Sequence, residues 1–400
     1  MGSAHPAEFA TLRLLERGGS GMGVGILQFG AGNFLRAFVD LFVQQAREAG
    51  QDVGRVVVVQ STGSGRAAAL SGAGGKYHVV LRGIRGGAVV NEVHPVDVIE
   101  AALDANTQWD EVVRAAVSPA ITHVVSNTTE AGFALVDGDS ADARPPRSFP
   151  GKLARLIEER RKAGQAGLIV LPCELIEGNG PKLRDLVLDQ GRRWGLGAAF
   201  EEYVIQGCRF ASTLVDRIVT GKPAAEPGLP DDPLLTAAEP FALWAIEGGT
   251  GAFPMFTHPA IRIVEDLRPY SLRKIRILNG AHTALVCHAP PRGFATVREA
   301  VSDPEVGAWL SRLLAEEVVP VLQGRVDGPE EYARETLERF ANPFLVHKLS
   351  DIALNHPAKL KTRLLSTYHD YKAQFGKEPV EIARLLRDAV AKGDLAASEM

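Results

Sequence analysis

The feature that most restricts the fold is a strand, a glycine turn, a helical segment and a second strand in immediate succession. Val24-Gly25-Ile26-Leu27-Gln28-Phe29 is an apolar run, and Gly30-Ala31-Gly32 follows it. Phe34, Ala37, Phe38, Leu41, Phe42 and Ala46 then recur at helical spacing, and Gly50 is placed to end that helix. Val56-Val57-Val58-Val59 comes next, the continuous β-branched run of a strand buried on both faces of a parallel sheet. This is a βαβ unit. The runs 122–125 and 168–171, preceded by helical segments near 110–117 and 151–163, extend it. Residues 76–99 alternate instead, which predicts a hairpin or antiparallel edge.

After residue 270 the β-branched runs cease. Helical patterns follow over 271–287, 296–323, 329–340, 344–355, 359–374 and 379–392. Pro223, Pro227, Pro230, Pro233 and Pro240, then Gly248, Gly249 and Gly251, mark an irregular stretch between the two textures, with the domain change somewhere in 220–270. The expectation is α/β: an N-terminal Rossmann-type doubly wound sheet domain over 1–255, followed by a mostly α-helical C-terminal domain over 256–400. A chain of 400 residues is long enough for both.

Charge and cysteine usage narrow the function classes. Lys and Arg total 44 against 48 Asp and Glu, a net charge of −4, without the basic excess of a nucleic-acid binder. No stretch has the roughly 18 uncharged apolar residues of a membrane span, and MGSAHPAEFATLRLLERGG lacks the layout of a secretory signal. Cys173, Cys208 and Cys287 are odd in number and widely spaced, as in reduced thiols of a cytoplasmic protein. His258, His282 and His288 lack ligand spacing and Cys173 has no partner cysteine nearby, so no metal is expected.

Gly30 and Gly32 are the first two glycines of a dinucleotide fingerprint, with Asn33 and Phe34 opening the helix behind them. Leu35 stands where the third small residue belongs, and a purely structural turn is the alternative. Gln60 stands in place of the acid that grips a ribose at the end of the second strand, and as a cofactor-binding residue it can still hydrogen-bond that ribose. An uncharged side chain tolerates a phosphate there better than a carboxylate would, and Arg66 is near, so NAD and NADP both remain open.

Lys274, Asn279 and His282 fall at about 0°, 140° and 80° on an α-helical wheel, one face among Ile275, Leu278, Ala281 and Leu285. An amine, an amide and an imidazole converging there suit carbonyl chemistry: proton transfer by Lys274, oxyanion stabilisation by Asn279, substrate orientation by His282. The bland alternative is a solvated helix start at 273–276 and a core histidine.

At this point the chain resembles the polyol-specific long-chain dehydrogenases, whose catalytic helix carries Lys, then Asn five positions on, then His three further. The resembling stretches are FGAGNFLRAFVD (29–40), VVVV (56–59), VSNTTEAG (125–132), LPCELIEGNG (171–180), STLVDRIVTG (212–221), RKIRILNGAHTALV (273–286) and RFANPFLVHKLSDIALN (339–355). The resemblance implies a zinc-independent transfer of hydride between NAD and a small anionic sugar acid. It implies Lys274 as general acid and base, Asn279 at the oxyanion, and His282, Asp216, Arg217 and Lys359 on substrate. Asn127 and Glu130 would lie beside the cofactor near the reacting centre. Two departures separate the chain from mannitol-type members: Asp351 where they use an arginine, and Cys173-Glu174-Leu175 where they carry Cys-Asp-Asn. The first argues against a mannitol-like pocket and the second is similar to the branch that interconverts tagaturonate and altronate, with fructuronate or a polyol as the alternative substrate and a non-enzymatic dinucleotide sensor as the second alternative. The departures leave a second oxyanion donor to be found, with Asn127 and Asn179 as candidates. Arg262, Arg268, Arg273, Lys274 and Arg276, and then Lys359, Lys361 and Arg363, are basic clusters that would favour such an anion.

Overall fold

A computed structural model describes residues 24–128, 130–223, 229, 232–248 and 256–400. The N-terminal segment, Pro227, Pro230, Gly249 and Gly251 lie outside the described residues. The chain divides into two compact units. The first holds the chain up to Leu81, Glu92–Ala238 and Ala242–Leu267; the second holds Arg82–Asn91, Glu239–Phe241 and Arg268–Met400.

The first unit is built on six strands, β1 (Val24–Phe29), β2 (Val53–Gln60), β3 (Ile99–Asp104), β4 (Ile121–Ser126), β5 (Ile169–Pro172) and β6 (Arg209–Phe210). They pair in the order β3-β2-β1-β4-β5-β6, every pair parallel. This is the doubly wound order, with its switch point between β1 and β4. Phe29 is level with Val59 and with Ser126, so Gly30, Gln60 and Asn127 leave the sheet at one edge. β-Branched and apolar residues cover both faces: Ile26, Val56 and Val58 join Phe38, Phe42 and Leu70, while Leu27, Val57, Val59 and Val124 join Val112, Leu153 and Ile157. The expected hairpin is present as Tyr77–Arg85 and Ala88–Val96, turned at Gly86 and Gly87, both of positive φ. β3 is an additional strand that the alternating pattern concealed.

The expected single helix after the glycine turn is two: α1 (Asn33–Arg36) and α2 (Val39–Glu48). The break frees the carbonyls of Arg36 and Ala37 from the helical ladder. Tyr77 Oη donates to the first at 3.1 Å and Arg217 Nη1 to the second at 2.8 Å, so tertiary partners satisfy what the helix gives up.

The second unit is helical. Ile277, Leu278, Ala281, Ala284 and Leu285 form its centre with Leu310, Leu313, Leu360, Leu364, Tyr368, Leu385 and Leu386. The helical pattern over 296–323 is interrupted at Asp303, which accepts from the backbone of Glu305 and Val306 and restarts a helix at Pro304. The pattern over 344–355 yields only the turn Leu349–Ile352, because Thr296 and Lys348 bridge as extended chain. Among the described residues no helix is long and apolar enough to cross a membrane.

Candidate functional site

The candidate residues fall into two sets, one in each unit. In the first, Gly30 has φ +130°, a conformation that favours glycine. A Cβ there would stand 3.1 Å from both Asn127 O and Leu35 Cδ1, so the residue must be small. Gly32 is different: a Cβ there would meet nothing nearer than Arg66 Nη1 at 3.9 Å. That open cradle beside the β1 edge fits a dinucleotide phosphate approaching the backbone. Asn33 Oδ1 accepts from Arg36 at 2.6 Å, and its Nδ2 lies against Gly221; Phe34 stacks on Phe38 with ring centroids 4.9 Å apart.

Gln60 is buried and its amide is used internally. Nε2 donates to Thr62 O at 2.5 Å, while Oε1 accepts from Ala67 N at 2.7 Å and from Ser64 Oγ at 3.3 Å. It shapes the loop after β2. Asn127 leaves β4 with its backbone held by Phe29 O and its Nδ2 donating to Cys173 O at 3.1 Å. Glu130 is exposed at the start of a short 3₁₀ turn. Asn179 is fully buried: Nδ2 is within 3.1 Å of the carbonyls of Pro172, Glu174 and Thr213, and Oδ1 accepts from Thr213 N at 2.9 Å. With every donor occupied it ties the end of β5 and the segment after it to the strand Thr213–Asp216 and has none to spare for an oxyanion.

Asp216 ends a buried strand, Thr213–Asp216, and Arg217 follows it with its guanidinium 5.6 Å from the Phe42 ring centre besides the bond to Ala37. Beneath the glycine turn lies a buried polar cluster that sequence patterning did not reveal. Asp40 Oδ2 accepts from Tyr77 Oη at 3.0 Å and from Gln28 Nε2 at 3.4 Å, and Gln28 also donates to Gly30 O at 3.2 Å. Burial raises the Asp40 carboxyl to about 7.

In the second unit the helix that carries Lys274, Asn279 and His282 is not uniform. Arg268–Arg273 is α-helical, Lys274–Asn279 is a π-helical turn, and Gly280–His288 is α-helical again. Residues five apart are stacked in a π-helix, as residues three or four apart are in an α-helix. Lys274 and Asn279 therefore share a face, which His282 continues. Arg276 leaves the opposite side, donating to Thr367 Oγ1 and Asp370 Oδ2 at 2.9 Å each. Asn279 O, at the end of the turn, accepts from Thr283 Oγ1 at 3.0 Å and lies 3.5 Å from Arg363 Nη1, which also donates to Thr283 at 3.2 Å.

His282 is buried, stacked on Phe340 at 4.2 Å between centroids and met edge-on by His347 at 4.8 Å. Burial holds the His347 imidazole below the usual range. The sequence offered no spacing that would join His347 to the helix of His282. Lys359 donates to Ile352 O at 2.7 Å, and its amine is lowered by desolvation and by Arg363. Asp351 is exposed. The basic clusters are less positive than their count suggests, because Arg276 pairs with Asp370 and Lys361 with Glu399. Among the described residues no three His, Cys, Asp or Glu side chains gather as a metal site.

The doubly wound sheet with its open glycine cradle, and the Lys-Asn-His face on a helical unit, define a dehydrogenase architecture. Residues 24–253 match the mannitol dehydrogenase Rossmann domain and residues 266–386 match the mannitol dehydrogenase C-terminal domain. The chain belongs to the mannitol dehydrogenase family and is an NAD-dependent dehydrogenase acting on a CH–OH carbon. It is 39% identical over 369 residues to an altronate oxidoreductase of Bacillus subtilis, covering 88% of this chain and 76% of the relative. It is 39% identical over 382 residues to one of Yersinia enterocolitica, covering 92% and 79%. The fold is shared with a D-sorbitol dehydrogenase (TM-score 0.81, 24% identity, 93% of this chain and 80% of that one). It is also shared with Pseudomonas fluorescens mannitol 2-dehydrogenase, solved with NAD and D-mannitol (TM-score 0.72, 23% identity, 91% and 78%).

Proposed function

We propose that the protein reduces the ketone of a hexuronate, tagaturonate, to altronate with NADH, and catalyses the reverse oxidation. The reaction type is carried by the register of Lys274, Asn279 and His282 on the π-helical turn and the helix behind it. The substrate is supported by relatives named altronate oxidoreductase at 39% identity, and by Asp351 and Cys173-Glu174-Leu175 in place of the mannitol-type residues.

Dinucleotide binding is assigned to the domain over 1–255, with Gly30, Gly32, Asn33, Phe34 and Asn127 at the sheet edge and Glu130 beyond it. The nicotinamide, when bound, supplies or accepts the hydride. Lys274 Nζ gives a proton to the ketone oxygen during reduction and takes it from the hydroxyl during oxidation. The Asn279 amide donates to that oxygen as charge develops. His282, its ring held by Phe340 and His347, orients a neighbouring hydroxyl, and Asp216, Arg217 and Lys359 are assigned to the substrate.

The test is a panel of tagaturonate, fructuronate and fructose with purified protein and NADH, followed at 340 nm. Tagaturonate should give the highest kcat/KM. A higher value with fructuronate or fructose would reject the substrate while keeping the enzyme class; no turnover with any of the three would reject the proposed reaction.

A further inference from the structure

In doubly wound sheets that select NAD, a carboxylate at the end of β2 grips the ribose hydroxyls and repels a 2′-phosphate, whereas a nearby arginine accommodates that phosphate. From Val59 this chain continues Gln60-Ser61-Thr62-Gly63-Ser64-Gly65-Arg66, with no acid. Gln60 itself is turned inward, both ends of its amide spent on Thr62, Ser64 and Ala67. The carboxylate at the level end of β3, Asp104, accepts from the backbone and side chain of Asn106. Asp104 keeps its charge, so the part without an acid is the loop 60–66 itself, not the whole sheet edge.

A cation stands there. Arg66 is exposed, and its Nη1 lies 3.9 Å from the position a Gly32 Cβ would take. The guanidinium thus reaches from the loop after β2 toward the β1 turn, across the side on which the adenosine ribose of a dinucleotide rests. Arg36, the other guanidinium near this turn, is buried and donates to Leu234 O and Asn33 Oδ1. Among the described residues no carboxylate is paired with Arg66. Ser61 and Thr62 add two hydroxyl side chains to the same loop, while the Ser64 hydroxyl is donated to Gln60 Oε1.

We propose that the dinucleotide site accepts NADPH as well as NADH, with Arg66 pairing with the 2′-phosphate of the adenosine ribose. The inference rests on reading the β1 turn as the dinucleotide site. Arginine suits the role because its planar fork matches a phosphate bidentately.

Binding, not turnover, tests it, so the identity of the sugar substrate does not enter. NADH and NADPH are titrated against the full chain by nicotinamide fluorescence, with ADP and 2′,5′-ADP as competitors, for wild type, Arg66→Ala and Ser61→Asp. Far-UV circular dichroism checks the fold of each variant. Wild type should bind NADPH within about tenfold of NADH. Arg66→Ala should weaken NADPH by about tenfold or more, NADH by less than about threefold, and should abolish competition by 2′,5′-ADP ahead of ADP. Ser61→Asp should restore the missing carboxylate and reject NADPH while still binding NADH. Wild-type discrimination against NADPH above about a hundredfold, or equal losses for both dinucleotides in Arg66→Ala, would overturn the proposal; the second result would place Arg66 on the pyrophosphate. Binding of neither dinucleotide would remove the reading of the β1 turn itself, and the proposal with it.

Discussion

Lys274 and Asn279 are the first and last residues of one π-helical turn, five positions apart and in register along its face. In a uniform α-helix the same spacing would set them about 140° apart. The extra residue in the turn is what sets the two positions on one face of the helix. Thr283, one turn on in the same helix, and Arg363, from a distant segment, then take up the Asn279 carbonyl at the end of the turn.

Replacing Lys274 by Ala should lower kcat by about 10²–10⁴-fold, the usual share of a general acid–base group. Lys274 is only half-buried, so the melting temperature should change little. Steady-state kinetics beside a thermal melt checks both. A variant that keeps most of its kcat would reject Lys274 as the proton donor.

Arg363→Ala tests whether the turn needs its support. The half-buried guanidinium donates to Thr283 and approaches Asn279 O, and loss of such bonds should cost about 1–3 kcal/mol of stability. If the turn relaxes toward regular α-helix, kcat falls about tenfold or more as Asn279 leaves the face of Lys274. Both contacts come from the one nitrogen Nη1, so Arg363→Lys should recover the loss only as far as an ammonium can occupy that nitrogen's place. Urea unfolding and kcat are measured together; lower stability with kcat intact would confine Arg363 to packing.

Much of this was legible in the sequence, for identifiable reasons. The parallel core was readable because Val56–Val59 and Leu168–Leu171 are buried on both faces and carry no alternation to mislead. The spacing of Lys274, Asn279 and His282 alone left a solvated helix start and a core histidine open; the family resemblance singled the three out, on a wheel that assumed 3.6 residues per turn. The π-helical turn was hidden because nothing in KIRILN marks an inserted residue; Arg276 within it and Arg363 at its end read only as charge. The helix break at Ala37-Phe38 was equally hidden, since its compensation comes from Tyr77 and Arg217, far away in sequence. Gln60 could be named as the residue at the end of β2, but not that its amide would be consumed within its own loop.

Asn179→Ala separates a structural asparagine from an oxyanion donor. The side chain is completely buried and serves three carbonyls and the Thr213 amide. Its removal leaves buried polar groups without partners, each worth about 1–3 kcal/mol. Chemical unfolding should show a loss of a few kcal/mol in total. A fully stable variant whose only defect is kcat would instead make Asn179 part of the reaction.

Stability should also carry the signature of Asp40. Burial lifts its carboxyl to about 7 in the folded chain, against 3.8 as its ordinary value. The folded state therefore keeps a proton that the unfolded chain releases. That contribution is complete at the acidic end and is lost as pH rises through about 7. Asp40→Asn stays neutral throughout, so its stability relative to wild type should improve by about 2–3 kcal/mol from pH 5 to pH 8. Urea unfolding of both proteins at several pH values measures the difference; a gap that is flat or moves the other way rejects a neutral Asp40 in the fold.

The two glycines of the β1 turn should fail in opposite ways, because one is needed by the fold and the other by the ligand. Gly30 sits at φ +130° with Asn127 O and Leu35 Cδ1 each 3.1 Å from where a Cβ would go. Gly30→Ala must strain the backbone and push on a strand end, at a cost of about 1–3 kcal/mol, seen as a lower melting temperature without any ligand. Gly32 has ordinary extended dihedrals, φ −71° and ψ 168°, and open space in front of its Cα. An alanine fits the free protein there, so the melting temperature should stay within about 2 °C. Its methyl group nevertheless occupies the cradle through which phosphates approach the backbone, and NADH affinity should fall about tenfold or more. Melting curves taken with and without saturating NADH read both effects in one experiment. Gly30→Ala should lower the baseline and keep the upward shift on ligand addition. Gly32→Ala should keep the baseline and lose the shift. A Gly32→Ala protein that retains the full shift would show that the dinucleotide does not approach through this turn.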